Sequence, residues 1–435
     1  MTTIKAVRGT RDLLPPETAL WNRIEATARA VFARYNFGEI RTPIFEDTGL
    51  FARGVGEETD IVSKEMYTWE DRARAQSEKT QSLTLRPENT AGVVRAYIEH
   101  QLGETGQLQK LYYIGPQFRR ERPQKGRYRQ FSQIGAEVIG PPSAGSESPL
   151  RDAEVLEMLA TLLDELGITG WTLELNSVGS AADRARYNDT LRAALVPVVG
   201  QMCEDCQRRA VTNPLRVLDC KVPADQPIID ALPMIADSLD DESKKHFDQV
   251  LAALDAAGVP YTRNHRLVRG LDYYTRTTFE FTHGGLGAQN ALLGGGRYDG
   301  LSEAIGGPKA PGIGFAMGED RLVLTLQALE QSQTQEKADA FIAPLGDAKD
   351  EAALSRMNAA ALALARELRR SGLRIELGEG SFRLKKSFEA ADKTARAIVI
   401  LGEDELQSGI LTVKTFSTGV QTKVPRADLA AFLKQ

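Results

Sequence analysis

Cysteine is scarce in this chain. Three cysteines in 435 residues cannot build a disulfide framework and suit a reducing compartment. Long apolar runs are missing too: no stretch of about 18 apolar residues exists, so no membrane-spanning helix is expected. The opening, MTTIKAVRGTRDLLPP, lacks the apolar centre and cleavage-like site of a secretory signal, and a cytoplasmic protein is the default expectation. Nor is there an excess of positive charge. The net charge is −5, which does not advertise a nucleic-acid binder. The remaining composition is that of an ordinary globular protein, 42% hydrophobic and 26% charged, in a chain long enough for two or three domains.

Positive charge is concentrated rather than abundant. Residues Arg119 to Arg129 hold six Arg or Lys against one Glu, and Arg356 to Arg396 hold ten against five. Each area nets +5, and two separated basic areas on an acidic chain suit an extended polyanion touched at two places.

The first of these areas sits inside Leu111–Gly140, LYYIGPQFRRERPQKGRYRQFSQIGAEVIG. Pro123 and Gly126 rule out a helix, so the flanks read as antiparallel strands joined by a long loop. Strand side chains alternate with a period of two. Ile134, Ala136 and Val138 therefore share a core face, while Phe131, Gln133, Gly135 and Glu137 share the other. On the first strand Arg119, Gln117, Gly115 and Tyr113 share a face. If the two polar faces coincide, they form a floor carrying a cation, aromatic plates, an amide, a carboxylate and bare glycine, suited to a small charged ligand beside a phosphate. A solvated hairpin face is the plainer alternative.

FRRERPQKGRYRQF resembles motif 2 of class II aminoacyl-tRNA synthetases in the form found in the histidyl-tRNA synthetase family, and other segments agree in family order. Val7–Pro15 resembles the N-terminal signature. Pro16–Tyr35 reads as an amphipathic helix, with Trp21, Ile24, Ala28, Val31, Phe32 and Tyr35 at helical spacing. Phe37–Phe45 follows as a strand with Pro43 at an edge or bend; together they resemble motif 1, which builds the dimer interface in the family. Ser82–Leu85 reads as a strand, and Arg86-Pro87-Glu88-Asn89-Thr90 opens a helix running to about Gln101. Glu88 there suits simple capping; the resemblance instead puts Glu88 and Thr90 on the ammonium of the amino acid. Arg151–Leu166 reads as a helix and Trp171–Asn176 as a strand. Arg266–Phe281, RLVRGLDYYTRTTFEF, reads as strand, glycine turn, strand and matches one histidyl signature; Leu292–Asp299, LLGGGRYD, matches the other. Gly312–Arg321, GIGFAMGEDR, entering a helix, resembles motif 3. Arg321 near that helix start opposes the macrodipole, and needs either Glu319 or Asp320 as partner or a nucleotide phosphate.

The resemblance implies an α+β catalytic domain with a mainly antiparallel sheet over 1–330, a helical insertion at about 180–247, a linker at 331–338, and a C-terminal α/β anticodon-binding domain over 339–435. It implies that Arg119, Arg269 and Arg321 stabilise charge at the phosphates of ATP, with Glu121, Arg127 and Phe131 completing the nucleotide site. Histidine would meet Glu88, Thr90, Arg119, Gln133, Glu137, Arg269, Tyr273, Tyr274 and Tyr298. Mg²⁺ would accompany ATP, Arg122–Arg127 would meet the acceptor stem of tRNA(His), the C-terminal basic face its anticodon, and the chain would form a homodimer. The four histidines read as bystanders. Ser132 stands where the family commonly has His, and as a core-face residue it is expected to matter little. Two other readings stay open: a non-catalytic regulatory subunit of ATP phosphoribosyltransferase, and a class II enzyme for another amino acid, against which the RGLDYY and GGGRYDGL stretches argue.

One pattern belongs to no motif. Cys203-Glu-Asp-Cys206, with Cys220 beyond, has the spacing that opens a zinc site. No fourth ligand is evident nearby, the next histidine being His246, so no metal is expected.

Overall fold

A computed structural model describes residues 3–57, 59–71, 80–124, 126–286, 290–329, 337–347 and 349–434. The chain divides into two compact units, Met1–Ser332 and Gln333–Gln435. The polar linker expected at 331–338 lies largely outside the described residues.

The first unit is built on an eight-stranded sheet. From edge to edge its strands are Gly38–Glu39, Gln109–Phe118, Gln130–Ile139, Gly312–Gly318, Ala291–Arg297, Thr275–His283, Trp171–Ser177 and Thr262–Arg263. All neighbours pair antiparallel except the two outermost strands, which pair in parallel. Antiparallel sheets tolerate two unlike faces, and this one uses that freedom. One face carries Ile134, Ala136, Val138, Leu173, Leu175, Phe279, Phe281 and Phe315 into a single core with the helices Glu17–Arg34, Pro149–Glu165 and Asp241–Ala257. The apolar spacing of the first helix places Trp21, Ile24, Ala28, Val31 and Phe32 in that core. The opposite face holds the site described below.

Two strand expectations fail locally. Phe37–Phe45 is not one strand. Gly38–Glu39 pairs with Leu111 and Tyr112, the chain then leaves the sheet, and Phe45–Asp47 joins a separate three-stranded sheet with Gln81–Leu85 and Tyr67–Asp71. Pro43 has no N–H to give a ladder, and the carbonyls of Thr42 and Pro43 accept instead from the Arg86 guanidinium. Arg266–Val268 is likewise no strand. Residues 264–274 form an irregular loop, held by Asn213 Nδ2 donating to Asp272 Oδ1 at 3.1 Å and Arg184 donating to the Asp272 carbonyl at 2.9 Å.

The segment 181–239 is helical with its own small core of Tyr187, Leu191, Leu195, Cys206, Val217 and Ile229 among others. It stops short of the expected 247, because Asp241–Ala257 is one continuous helix whose Phe247 and Val250 pack into the main core.

The second unit has a five-stranded mixed sheet, ordered Ile375–Leu377, Ala340–Pro344, Ala397–Leu401, Ile410–Thr415, Gln421–Pro425, with helices Glu351–Arg370 and Leu384–Thr394. The strand Gln421–Pro425 and the short helix Glu403–Ser408 are elements that periodicity did not suggest.

Candidate active site

The hairpin Gln109–Phe118 and Gln130–Ile139 organises the site. Its register sets Tyr113 opposite Gly135, Gly115 opposite Gln133 and Gln117 opposite Phe131. Directly opposed residues share a face, so the two polar faces do coincide. What the sequence suggested as a floor is the wall of two adjoining compartments.

The outer one is an open cavity of about 260 Å³. Arg119, Glu121, Arg127, Phe131, Gln133, Arg269 and Arg321 all line it, together with Glu280, which was not anticipated. Residues from four separate sequence segments thus converge on one space. Arg119 is fixed by donating Nε–H to the Pro87 carbonyl at 2.9 Å, and its guanidinium lies 5.3 Å from the Phe131 ring centre. Phe131 therefore already has a cation on one face. Arg269 lies 3.3 Å from Glu280, and Glu121 lies 3.1 Å from Arg127. Arg321 occupies the first turn of the helix Glu319–Ala328, yet neither neighbouring acid is its partner. Asp320 pairs with Arg11 at 2.9 Å, and Arg321 donates to the Ala291 carbonyl at 2.6 Å. The alternative of a local ion pair is thus not realised.

The inner compartment is buried. Glu88, Thr90, Tyr113, Glu137, Tyr273, Tyr274 and Tyr298 are each less than a tenth exposed. Thr90 donates its hydroxyl to Glu137 Oε1 at 2.7 Å. The Tyr273 ring centre lies 4.7 Å from that of Tyr274 and 6.0 Å from that of Tyr298. Glycines make this crowding possible. A Cβ on Gly314 would overlap Glu137 Oε2, one on Gly135 would overlap the Tyr113 hydroxyl, and one on Gly294 would overlap the Arg269 guanidinium. Glu88 does what a helix-start acid does: its carboxylate accepts from the amides of Thr90 at 2.9 Å and Ala91 at 3.0 Å.

Burial dominates the electrostatics of the inner compartment. Burial pushes the Glu137 carboxyl up to about 8, although hydrogen bonding from Thr90 opposes the shift. Burial also raises Glu88, and it raises Tyr113, Tyr273 and Tyr298 well above the ordinary phenol value. Glu137 Oε2, Gln133 Oε1 and the hydroxyls of Tyr113 and Tyr298 are buried without a hydrogen bond of good geometry among the described residues. The Tyr298 and Tyr113 hydroxyls lie close enough to Glu137 for weak hydrogen bonding that opposes its upward shift, but not in good geometry. Buried polar atoms left this way cost free energy unless something completes them.

Two findings were beyond the reach of sequence motifs. Arg297, fully buried, holds Asp152 at 2.8 Å and Asp299 at 2.7 Å, and His246 and Thr277 complete the Asp152 shell at 2.8 and 2.6 Å. The apparent lack of a fourth ligand beside Cys203, Cys206 and Cys220 is also corrected: Asp225 stands with them. A carboxylate cannot be told from a solvated acid by spacing alone, and the search for a histidine overlooked it.

An arginine-lined cavity and, beside it, a buried cluster of carboxylates and tyrosines on an antiparallel sheet match the fold of a class II aminoacyl-tRNA synthetase. Residues 9–322 match the family model described as histidyl-tRNA synthetase, and residues 339–435 match that of an anticodon binding domain. The chain belongs to the histidyl-tRNA synthetase family. It is 71% identical to a histidine–tRNA ligase of Koribacter versatilis over 99% of this chain and 96% of that protein, and 56% identical to one of Solibacter usitatus over 99% of each. The crystal structure of apo S. aureus histidyl-tRNA synthetase covers all of both chains with a TM-score of 0.79 at 38% identity.

Proposed function

We propose that this chain is an ATP-dependent histidine–tRNA ligase. The observation that carries the proposal is the inner compartment: a buried carboxylate with an open oxygen, ringed by phenols, next to three converging arginines. An imidazole with a free ammonium needs that combination, because phenols and a carboxyl can serve either tautomer as donor or acceptor. The names of full-length relatives at 71% and 56% identity point the same way. The regulatory-subunit reading has less behind it, since those relatives carry the ligase name along nearly the whole chain.

In the first step a carboxylate oxygen of histidine attacks the α-phosphorus of ATP, and the bond to pyrophosphate breaks. The nucleophile is already ionised near neutral pH, so the protein needs to supply only alignment and positive charge. Arg119 and Arg269 flank the α-phosphate, and Arg321 meets the nucleotide at the far end of the cavity. A guanidinium suits this task through its fixed fork of donors. Phe131 is the plate for the base, with Glu121 accepting from its amine and Arg127 alongside. Gln133, Glu137, Tyr273, Tyr274 and Tyr298 read the histidine, and Glu88 and Thr90 lie at its ammonium. All three carboxylates of the outer cavity, Glu121, Glu280 and Asp320, already face arginines, so Mg²⁺ is placed with the triphosphate as part of the substrate. In the second step the terminal ribose hydroxyl of tRNA(His) attacks the acyl carbon and AMP leaves.

Arg122–Arg127, of which Lys125 lies outside the described residues, is assigned to the acceptor stem. The exposed Lys385 and Lys386 are assigned to the anticodon arm. Exposed Ile44, Phe45 and Trp69 support a homodimer through the motif 1 region, and no helix among the described residues is long and apolar enough to cross a membrane. The test is transfer of labelled histidine to unfractionated tRNA. Acylation dependent on ATP and limited to the histidine acceptor supports the proposal; absence of acylation by folded protein with all substrates present contradicts it.

A further inference from the structure

We infer that the helical insertion holds a structural divalent metal, zinc by the chemistry of its donors, bound by Cys203, Cys206, Cys220 and Asp225. The ligand atoms of these four residues lie within 4.8 Å of one another. Cys203 Sγ and Cys220 Sγ are 3.9 Å apart, and Cys220 Sγ is 3.3 Å from Asp225 Oδ2. A tetrahedral zinc with bonds of about 2.3 Å to sulfur and about 2.0 Å to oxygen requires separations of roughly 3.8 Å and roughly 3.5 Å. These two separations match that geometry, and the remaining ones fall within 4.8 Å, close enough for the ligands to draw in on an ion. They are far too long for a disulfide, which needs about 2.05 Å, and pairing any two of the cysteines would strand the third.

The surroundings match a thiolate site. Cys203 caps the helix Glu204–Thr212, Cys206 lies buried in its first turn, and Cys220 follows the turn Pro214–Val217. The Val222 amide donates to Cys220 Sγ at 3.4 Å, as expected beside a thiolate. The Cys203 amide donates to both Asp225 oxygens at 3.2 Å, fixing the carboxylate at the cluster.

The fold gives such a staple a purpose. The insertion core is small and carries short helices, the setting in which a metal contributes folding energy outright. It would tie the helix start at Cys203 to the segment that bears Asn213 and Arg216. Those two residues reach the signature loop, Asn213 through Asp272 and Arg216 against Gly270. Loss of the metal is therefore expected to loosen the insertion and the loop below it, while leaving the main core intact.

The experiment is elemental analysis of the desalted full-length protein, with cobalt substitution of chelator-treated protein. About one zinc per chain is expected, and cobalt should give the intense visible d–d bands and thiolate charge-transfer absorption of a tetrahedral thiolate site. Asp225→Asn, which keeps volume, should lower retention of zinc at least tenfold and expose the insertion to limited proteolysis. Failure of the unmodified chain to hold zinc together with a cobalt spectrum lacking thiolate charge transfer would overturn the assignment, whether its three thiols titrate as free or two as a disulfide. Because the unmodified protein gives the primary readout, a variant that fails to fold does not blunt the test.

Discussion

Glu137 has one oxygen completed by Thr90 and the other buried without a hydrogen bond of good geometry among the described residues. With its carboxyl pushed up to about 8 by burial, it is mostly neutral in the ligand-free chain near pH 7. A ligand that needs the carboxylate must first drive off that proton. Histidine binding through ionised Glu137 is therefore expected to tighten about tenfold for each unit that pH rises toward about 8, and to level off above it. Glu137→Gln should bind histidine at least ~10-fold more weakly and lose this slope, because an amide does not titrate. Calorimetric titration with histidine across pH, wild type against variant, reads both; a parallel slope in the two proteins would assign the titration to the ligand instead.

Glu319 gives a stability prediction at the same scale. Both its oxygens are buried without a hydrogen bond of good geometry, and burial pushes it up to about 8 from an ordinary 4.5. Below about pH 4.5 folded and unfolded forms are both protonated and the group has no effect. As pH rises toward about 8 only the unfolded chain ionises, so the folded state loses stability. Glu319→Gln should remove that decline, a difference on the order of 2–4 kcal/mol by about pH 8. Denaturant unfolding as a function of pH tests it, and identical slopes for the two proteins would contradict it.

At the scale of elements, Arg297 joins the strand Ala291–Arg297 to the helix Pro149–Glu165 through Asp152, both side chains being fully buried. Arg297→Met leaves Asp152 in the core without its cation and should cost roughly 3–5 kcal/mol. The expected sign is a lowered unfolding midpoint measured with the nucleotide and histidine absent. An unchanged midpoint would mean that His246 and Thr277 suffice for Asp152.

Elements also show which parts of the fold were legible. The hairpin could be read because Ile134, Ala136 and Val138 make one face of the second strand's C-terminal half apolar, which fixes parity, and parity then places Phe131, Gln133 and Glu137 without further information. The helix Glu17–Arg34 was legible from its apolar spacing. Phe37–Phe45 misled because its apolar residues serve two different sheets, and the Arg86 guanidinium that captures the carbonyls between them comes from more than 40 residues away. Arg266–Tyr274 misled because Tyr273 and Tyr274 are buried in the inner compartment rather than on a ladder. At the site, residue types in family order located both compartments. The ion pair of Arg269 with Glu280, the Arg297 network and Asp225 depend on approaches across the sheet or the insertion that no local pattern encodes.

At the scale of the whole molecule, the residues proposed for activation and those proposed for the anticodon arm fall in different units. All residues assigned to activation lie in the unit Met1–Ser332, while Lys385 and Lys386 lie in the unit Gln333–Gln435. Lys386 sits 3.6 Å from the Phe382 ring centre on an exposed helix. Replacing both lysines with alanine should raise the KM for tRNA by roughly 10-fold, most clearly at moderate salt, and leave amino-acid activation unchanged. Equal loss in both assays would sink the assignment of this face to the anticodon arm.

The inner compartment is proposed to select histidine and the outer arginines to activate it. Amino-acid-dependent exchange of pyrophosphate into ATP, run with each of the twenty amino acids and no tRNA, tests it most directly. Exchange with histidine alone is expected. Exchange with another amino acid, or none with any in well-folded protein, would contradict it.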